Sequence, residues 1–389
     1  MSIKIRLLFI LVACSIFPMI FVGTLGYFNA KKALENTRIE ALKSITYHKA
    51  QKIEDFFTEQ KKHITIAQRR PNIKKYASLL AGYSGDFNGP DYETIRDELD
   101  GALKMYPPVY DYANVMLSNS QGNIVYVLNR HGALEDIGHI LPESWQEVFK
   151  EGKKEVYLSD VFRSRRRADQ FSVYITAPVH NFDGKFVGVI VLEIDVASIF
   201  KLVQDTTGMG ETGETLIARK EDDAVLFLNP LRHDPDAALK RKVVFGQRQA
   251  IPIQKALEGK AGHGIFTDYR GNKVIAVWQY MSLLDWGIVA KIDAAEAFEQ
   301  ATTLRNFVLM LVIAVIILSI LLAHIVAKSI SEPIQMLQKG SEEIGRGNLD
   351  HKIGTDAKDE IGRLGRAFDK MAEKLKTVTA SRDELNHEI

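Results

Sequence analysis

Residues 307–326, FVLMLVIAVIILSILLAHIV, form an uncharged apolar run of about 20 residues, long enough to cross the hydrocarbon core of a bilayer as a helix. Residues 7–28, LLFILVACSIFPMIFVGTLGYF, form another. These two runs divide the 389-residue chain. Residues 29–306 have ordinary globular composition, sufficient for one large or two smaller domains. A charged tail with heptad-spaced apolar residues follows the second run.

Lys4 and Arg6 precede the first run and Lys328 follows the second, whereas Lys31, Lys32 and Arg305 stand at the opposite ends. Positive charge is retained on the cytoplasmic side, and long domains translocate largely regardless of charge. Both termini are therefore expected in the cytoplasm and residues 29–306 outside, with the chain in the inner (plasma) membrane. The first run is longer than a signal-peptide core and lacks a small-residue cleavage site. Leu11-Val12-Ala13-Cys14 is similar to a lipoprotein cleavage box, but Ser15–Phe21 stays apolar where polar sequence should follow. An uncleaved anchor is the expectation. Cys14 is the sole cysteine, so the outer domain is held by its core rather than by a disulfide. A net charge of +1, without a basic stripe interleaved with aromatics, argues against nucleic acid as partner. The 10 histidines show no metal-ligand spacing, and no cofactor is expected. No phosphate-binding glycine loop, nucleophile elbow or catalytic carboxylate pair is evident, so no enzymatic activity is expected of this chain. The layout is that of a transmembrane receptor.

Helical spacing of Ile45, Ile53, Phe56, Phe57, Ile64 and Ala67 predicts a long helix from 29 to about 80, interrupted at Pro71, then a shorter one over Tyr92–Met105. After Pro107-Pro108 the period changes. Ala113–Ser118 and Asn123–Leu128 flank the turn Asn119–Gly122. Phe171–His180 and Lys185–Ile194 flank Asn181–Gly184, and a helix near Trp145–Lys150 separates the two hairpins. Strand-like runs recur at Glu214–Arg219, Ala224–Leu228, Gly264–Tyr269, Lys273–Tyr280 and Gly287–Ile292. Two helix-plus-antiparallel-sheet modules on a long helix indicate an α+β architecture.

Three stretches resemble double Cache domains. Gly208-Met-Gly-Glu-Thr-Gly-Glu-Thr215 resembles the entry to the second module. Trp286–Asp293 with Glu296-Ala297-Phe298 resembles its exit. Ala177-Pro178-Val179, Gly184, Gly188-Val189 and Glu193-Ile194-Asp195 resemble the end of the first. The resemblance covers 29–304. It implies stacked PAS-like modules, a distal one at about 72–200 that usually holds the ligand and a proximal one at about 201–298.

In the tail, Ile330, Ile334, Leu337 and Ile344 form one heptad run, and Leu364, Phe368, Met371, Leu375, Val378, Leu385 and Ile389 form another. The connector between them carries Leu349 and Ile353 as apolar anchors, and neither helix can bury its seam alone. This stretch, 328–380, closely resembles a HAMP domain, with Pro333 and Asp359-Glu360-Ile361-Gly362 at the family's diagnostic positions. The resemblance implies a parallel four-helix bundle in a homodimer. The alternative is a generic dimerising coiled coil. Residues 381–389 would begin a signalling coiled coil.

Ser172, Tyr174 and Thr176 share one face of their strand, and Val173, Ile175 and Ala177 the other. A polar-aromatic face suits a ligand pocket, with Tyr126, Trp145, Tyr157 and Asp160 as co-lining candidates. The alternative is that the polar residues face solvent while Tyr126 and Trp145 are core. Amino-acid-binding Cache domains carry Arg-x-Trp-Tyr ahead of a tyrosine and an aspartate. Glu143-Ser144-Trp145-Gln146 keeps only the tryptophan, although Tyr157 and Asp160 remain, which weakens the expectation of amino-acid sensing. Arg163, Arg165, Arg166 and Arg167 form either a solvated loop or a site for a carboxylate or phosphate. Asp268, Tyr269 and Arg270 read as structural rather than ligating. Asn386-His387-Glu388-Ile389 echoes the phospho-acceptor of histidine kinases, but Ser381 and Asp383 stand where apolar residues belong, so a linker is favoured. The expected function is sensing a small extracytoplasmic ligand and relaying it to a cytoplasmic output. A histidine kinase is the first expectation, then a diguanylate cyclase, a chemoreceptor or a separate docked partner.

Overall fold

The computed structural model describes residues 3–83, 85–104, 112–128, 137–138, 143–164, 170–354 and 358–388. In chain order the elements are α1 (Ile3–Ala67), α2 (Pro71–Ala81), α3 (Pro90–Leu103), β1 (Tyr112–Asn119), β2 (Ile124–Leu128), α4 (Glu143–Gly152), β3 (Tyr157–Leu158), β4 (Phe162–Arg163), β5 (Phe171–His180), β6 (Phe186–Asp195) and α5 (Ala197–Gln204). They continue with β7 (Glu214–Glu221), β8 (Ala224–Phe227), β9 (Lys242–Val244), α6 (Ile251–Leu257), β10 (Gly262–Thr267), β11 (Lys273–Met281), β12 (Trp286–Asp293), α7 (Ala294–Ala297), α8 (Glu299–Val326), a π-helical turn (Ala327–Ser331), α9 (Glu332–Gly345) and α10 (Glu360–Glu388). The chain forms two compact units, Leu34–Phe298 and the combination of Met1–Ala33 with Glu299–Ile389.

In the first unit, α1 buries Ile39, Leu42, Thr46, Lys49, Ala50, Ile53, Phe57, Gln60, Ile64 and Ala67. Steps of three and four keep these residues on one stripe of the helix. The expected break falls where the sequence put it: α1 ends at Ala67, and Pro71 opens α2, a position whose missing N–H costs no helical bond. The distal sheet has the order β2-β1-β6-β5-β3, with β4 also on β5, and every pair is antiparallel. One face packs Val115, Leu117, Val173, Ile175, Ala177, Ile190 and Leu192 against Ile64, Ile73, Leu80 and Leu99 of α1, α2 and α3. The opposite face gathers Met116, Ile124, Val127, Val189 and Val191 with Trp145 and Val148 of α4.

Both expected hairpins are present and use the same local chemistry. Asn119 Oδ1 accepts from the Gln121 and Asn123 N–H groups, each at 3.0 Å. Asn181 Oδ1 accepts from Asp183 N at 3.0 Å and Lys185 N at 2.8 Å. At Gly188, a Cβ would lie 1.8 Å from the Ser118 carbonyl oxygen, so only glycine lets β1 and β6 approach there.

The proximal sheet has the order β10-β11-β12-β7-β8-β9. Its Trp286 meets Phe57 of α1 edge to face, ring centroids 5.7 Å apart, so one helix serves the cores of both sheets. The other face of this sheet packs Leu216, Ala218, Trp278 and Val289 on Ile253 and Ala256 of α6. Glu296 of α7 accepts from the Glu211 and Thr212 N–H groups, both 2.8 Å, tying the Gly208–Glu214 loop to the exit of the module.

In the second unit, two helices are long and apolar enough to cross a membrane. Beyond them Leu337 and Ile344 of α9 are buried, and Ile353 of the connector is buried on Gly340, where a Cβ would fall 2.5 Å from Ile353 Cγ1. Ile353 N donates to Asp369 Oδ1 of α10 at 2.8 Å, and Asp359 Oδ1 accepts from Gly362 N at 2.9 Å, capping that helix. Leu349 and Phe368 are half-buried, Glu360 is exposed and Pro333 lies in the first turn of α9. Leu364, Met371, Leu375 and Val378 stay exposed along α10.

Candidate functional site

Antiparallel register builds the site from three strands. Asn114 of β1 pairs with Glu193 of β6, and Glu193 with Tyr174 of β5, so the three side chains form a row across the distal sheet on the α4 side. Asn114 Nδ2 donates to Glu193 Oε2 at 2.5 Å. Asn114 is 4% exposed, Glu193 7% and Ser172, one step along the same face, 0%. Among the described residues, Ser172 Oγ, Asn114 Oδ1 and Gln170 Oε1 are buried without a hydrogen-bond partner. Buried polar atoms are nearly always paired, and Ser172 Oγ and Asn114 Oδ1, both on this face, are candidates to meet polar groups of a ligand.

Aromatic side chains wall this row. Tyr174 stacks on Phe162 of β4, centroids 4.4 Å apart, and receives the edge of Trp145 at 5.8 Å. Trp145 is itself fixed, its Nε1–H donating to the Gly122 carbonyl at 3.1 Å. Tyr157 is half-buried against the same cluster. Burial, aided by the carboxylates of Glu147, Asp160 and Glu151, pushes its hydroxyl pKa up.

The structure separates the remaining candidates. Tyr126 stands on the opposite face of the sheet, in the core with Tyr92 and Leu99, and its hydroxyl donates to Asp100 Oδ1 at 2.6 Å. Asp160 points to the proximal module, 3.1 Å from Arg219 Nη1. Although its side chain is 58% exposed, partial desolvation holds its carboxyl above the ordinary range despite Arg219, with Glu147, Glu221 and Asp285 adding to the upward shift. Arg163 is exposed, its guanidinium over the Phe171 ring at 5.3 Å. Arg165, Arg166 and Arg167 lie outside the described residues, as does the side chain of His387. Asn114 and Glu193 went unnamed as site residues in the sequence. Their signal was a lone polar side chain inside an apolar strand, most plainly the glutamate of FVGVIVLEID at 186–195.

In the proximal module the buried charges pair with one another. Lys291, 1% exposed, sits 2.9 Å from Glu214 Oε2 and 2.8 Å from Asp268 Oδ2. Tyr269 donates its hydroxyl to Glu214, and Arg270 pairs with Asp268 at 2.7 Å and with Asp293. Burial pushes the Asp268 carboxyl up, but the Lys291 ammonium and the Arg270 bonds outweigh it and hold it below the carboxylate range. The cavity beside the cluster, between Phe227, Ile253 and Tyr269, is about 10 Å³, room for roughly one water. Asp268, Tyr269 and Arg270 are thus tied up in an internal network. Among the described residues no group of three or more His, Cys, Asp and Glu side chains is placed to hold a metal ion.

The Cache domain family matches residues 30–301 and the HAMP domain family residues 325–377. Methyl-accepting chemotaxis protein McpA of Bacillus subtilis is 24% identical over 234 residues, 60% of this chain and 32% of that protein. A probable methyl-accepting chemotaxis protein of Bacillus thuringiensis is 22% identical over 380 residues, 96% of this chain and 52% of its own length. Heme sensor protein HssS of Staphylococcus haemolyticus is 28% identical over 152 residues, 35% of this chain and 33% of that protein. The chain spans about a third of the length of the first curated relatives it matches. Among solved structures, the ligand-binding domain of Campylobacter jejuni chemoreceptor Tlp3 with 4-methylisoleucine aligns at TM-score 0.45 and 12% identity, over 68% of this chain and 94% of that one. That of Pseudomonas aeruginosa PctB with L-Gln aligns at 0.42 and 16%, over 66% and 91%. The chain belongs to the Cache domain family, and it joins that sensor domain to a HAMP domain in a membrane receptor.

Proposed function

We propose that this receptor binds a small, amine-bearing organic solute on the α4-side face of the distal sheet. The observation that carries the reading is the buried Glu193 carboxylate beside the unpartnered Ser172 hydroxyl. A buried carboxylate with one amide donor favours a cationic or multiply donating ligand, because a desolvated charge is costly without a counter-charge. Trp145, Tyr157, Phe162 and Tyr174 supply the apolar enclosure that organic ligands need. Arg163 contributes at the rim, and Tyr126 and Asp160 act elsewhere.

The charges of Lys4, Arg6 and Lys328 beside the runs 7–28 and 307–326 support a reading in which both termini are inside and the modules, at about 72–200 and 201–298, lie outside the cytoplasm. A membrane-impermeant thiol reagent should label a cysteine introduced at exposed Phe182 in intact cells, and protection there would reverse the orientation. The HAMP domain, 328–380, pairs with a second copy through the exposed seam of α10 and feeds a cytoplasmic output. A histidine kinase is the leading output and a chemotaxis signalling domain the alternative, since relatives of both kinds match. The ligand must bind one conformational state more tightly than the other for a signal to pass.

A thermal-shift screen of the full chain in detergent against amino acids, polyamines, carboxylates and purines tests the reading. A ligand at about 100 times its Kd adds about 2.7 kcal/mol to the folded state. The expected hit carries an amine and loses its shift in Glu193→Gln. A hit restricted to carboxylates, unaffected by Glu193→Gln, would overturn the assignment.

A further inference from the structure

We propose that Tyr157–Arg163 is a lever that passes the state of the distal site to the proximal module through the Asp160–Arg219 ion pair. The inference rests on the distal face being the ligand site. β3 and β4 pair with the same strand, Leu158 opposite Ile175 and Phe162 opposite Ser172. Three residues, 159–161, therefore oppose two, 173–174, and the excess residue makes a bulge. Ser159 clamps it to the site, its N–H donating to the Tyr174 carbonyl and its Oγ accepting from the Tyr174 N–H, both at 2.8 Å. A bulge re-aims side chains, and here it turns Asp160 out of the distal sheet.

Asp160 lands on Arg219 of β7, 3.1 Å away, whose other nitrogen binds Glu221 at 2.7 Å, and Glu221 pairs in turn with Lys242 of β9. Arg219 lies opposite Trp286 of β12, the residue that meets Phe57 of α1, and β12 runs on through α7 into α8. The segment that stacks Phe162 on Tyr174 thus also holds β7. Arg219 stands among acidic groups: Asp160, Glu221 and, within their field, Glu147 and Asp285. Removing the arginine leaves Asp160 repelled by these carboxylates, whereas removing the Asp160 charge relieves part of the repulsion. Arg219→Gln should therefore disturb the contact more than Asp160→Asn.

Hydrogen exchange of the full chain in detergent tests the lever without any ligand. Arg219→Gln should raise exchange about three- to fivefold in peptides covering both 157–164 and 214–221, and Asp160→Asn should raise it less in the same two, as a partly exposed ion pair allows. The site-side variant Phe162→Leu, which loosens the Tyr174 stack, should speed exchange in 214–221 about threefold in the native background and leave it unchanged in Arg219→Gln. An equal effect of Phe162→Leu in both backgrounds, or an effect of Asp160→Asn confined to 157–164, would overturn the proposal. Because no solute enters the experiment, failure of the ligand screen and failure of the lever are read separately.

Discussion

Lys291→Met should be among the most destabilising single changes in the sensor domain. The ammonium is the cation lying within 3 Å of both Glu214 and Asp268, and all three side chains are almost fully buried. Removing one partner of a buried ion cluster leaves uncompensated charge and costs about 3–5 kcal/mol. Arg270 still contacts Asp268 and Tyr269 still donates to Glu214, which places the expected loss toward the lower end, about 3 kcal/mol at pH 7. Urea denaturation of the full chain, followed by tryptophan fluorescence, reads this loss, since Trp278 and Trp286 lie in the same module. The loss should depend on pH. In the native protein Asp268 has a lowered pKa, so it contributes stability that is present above its unfolded value and lost as pH falls through the folded one. Without Lys291, burial dominates and raises that pKa. Asp268 then costs stability at neutral pH, and the cost is relieved as pH falls through the new, higher value. The gap between native and variant should thus narrow from pH 7 toward pH 4. The triple variant Lys291→Met, Glu214→Gln, Asp268→Asn should recover most of the loss, because neutralising a whole buried cluster is often close to neutral. A loss below about 1 kcal/mol at pH 7, with no narrowing in acid, would refute the argument that the cluster is held by charge compensation.

Two further outcomes separate structure from signalling. Tyr126→Phe should lower stability by about 1–2 kcal/mol through loss of its bond to Asp100, yet leave any ligand-induced thermal shift at its native size, because Tyr126 lies on the far face of the sheet. The proposed pairing through the exposed heptad seam of α10 predicts that the native chain sediments as a dimer and Met371→Glu combined with Leu375→Glu as a monomer in analytical ultracentrifugation, and an equal mass for the two would refute pairing through this seam.

The two asparagine turns, the alternation of 172–177 and the three-four stripe of α1 are each written in consecutive residues, and each has the structure its pattern demands. The two-residue strands β3 and β4 carry no period of their own and exist because β5 offers an edge. Tyr126 shows why facing is harder than pairing. β2 is buried on both sides, so its residues display no alternation, and a register shift between Leu117 and Ser118 decides which side chain meets the helices.

Asp160 shows the same limit for charge. Its partner lies 59 residues further along, in the other module, and nothing near position 160 announces Arg219. The two modules together explain why polar residues alone could not mark the site. Glu214 and Asp268 of the proximal module are acidic and buried like Glu193 of the distal one. Lys291, Tyr269 and Arg270 supply the first pair with internal partners. Among the described residues, Glu193 is met by one amide donor, and the Ser172 hydroxyl near it is unpartnered. Which module senses is therefore a question of which buried charges the fold has already compensated. That is a property of contacts between strands far apart in sequence, and it supports the proposal that the distal face takes the ligand while the proximal cluster holds its sheet together.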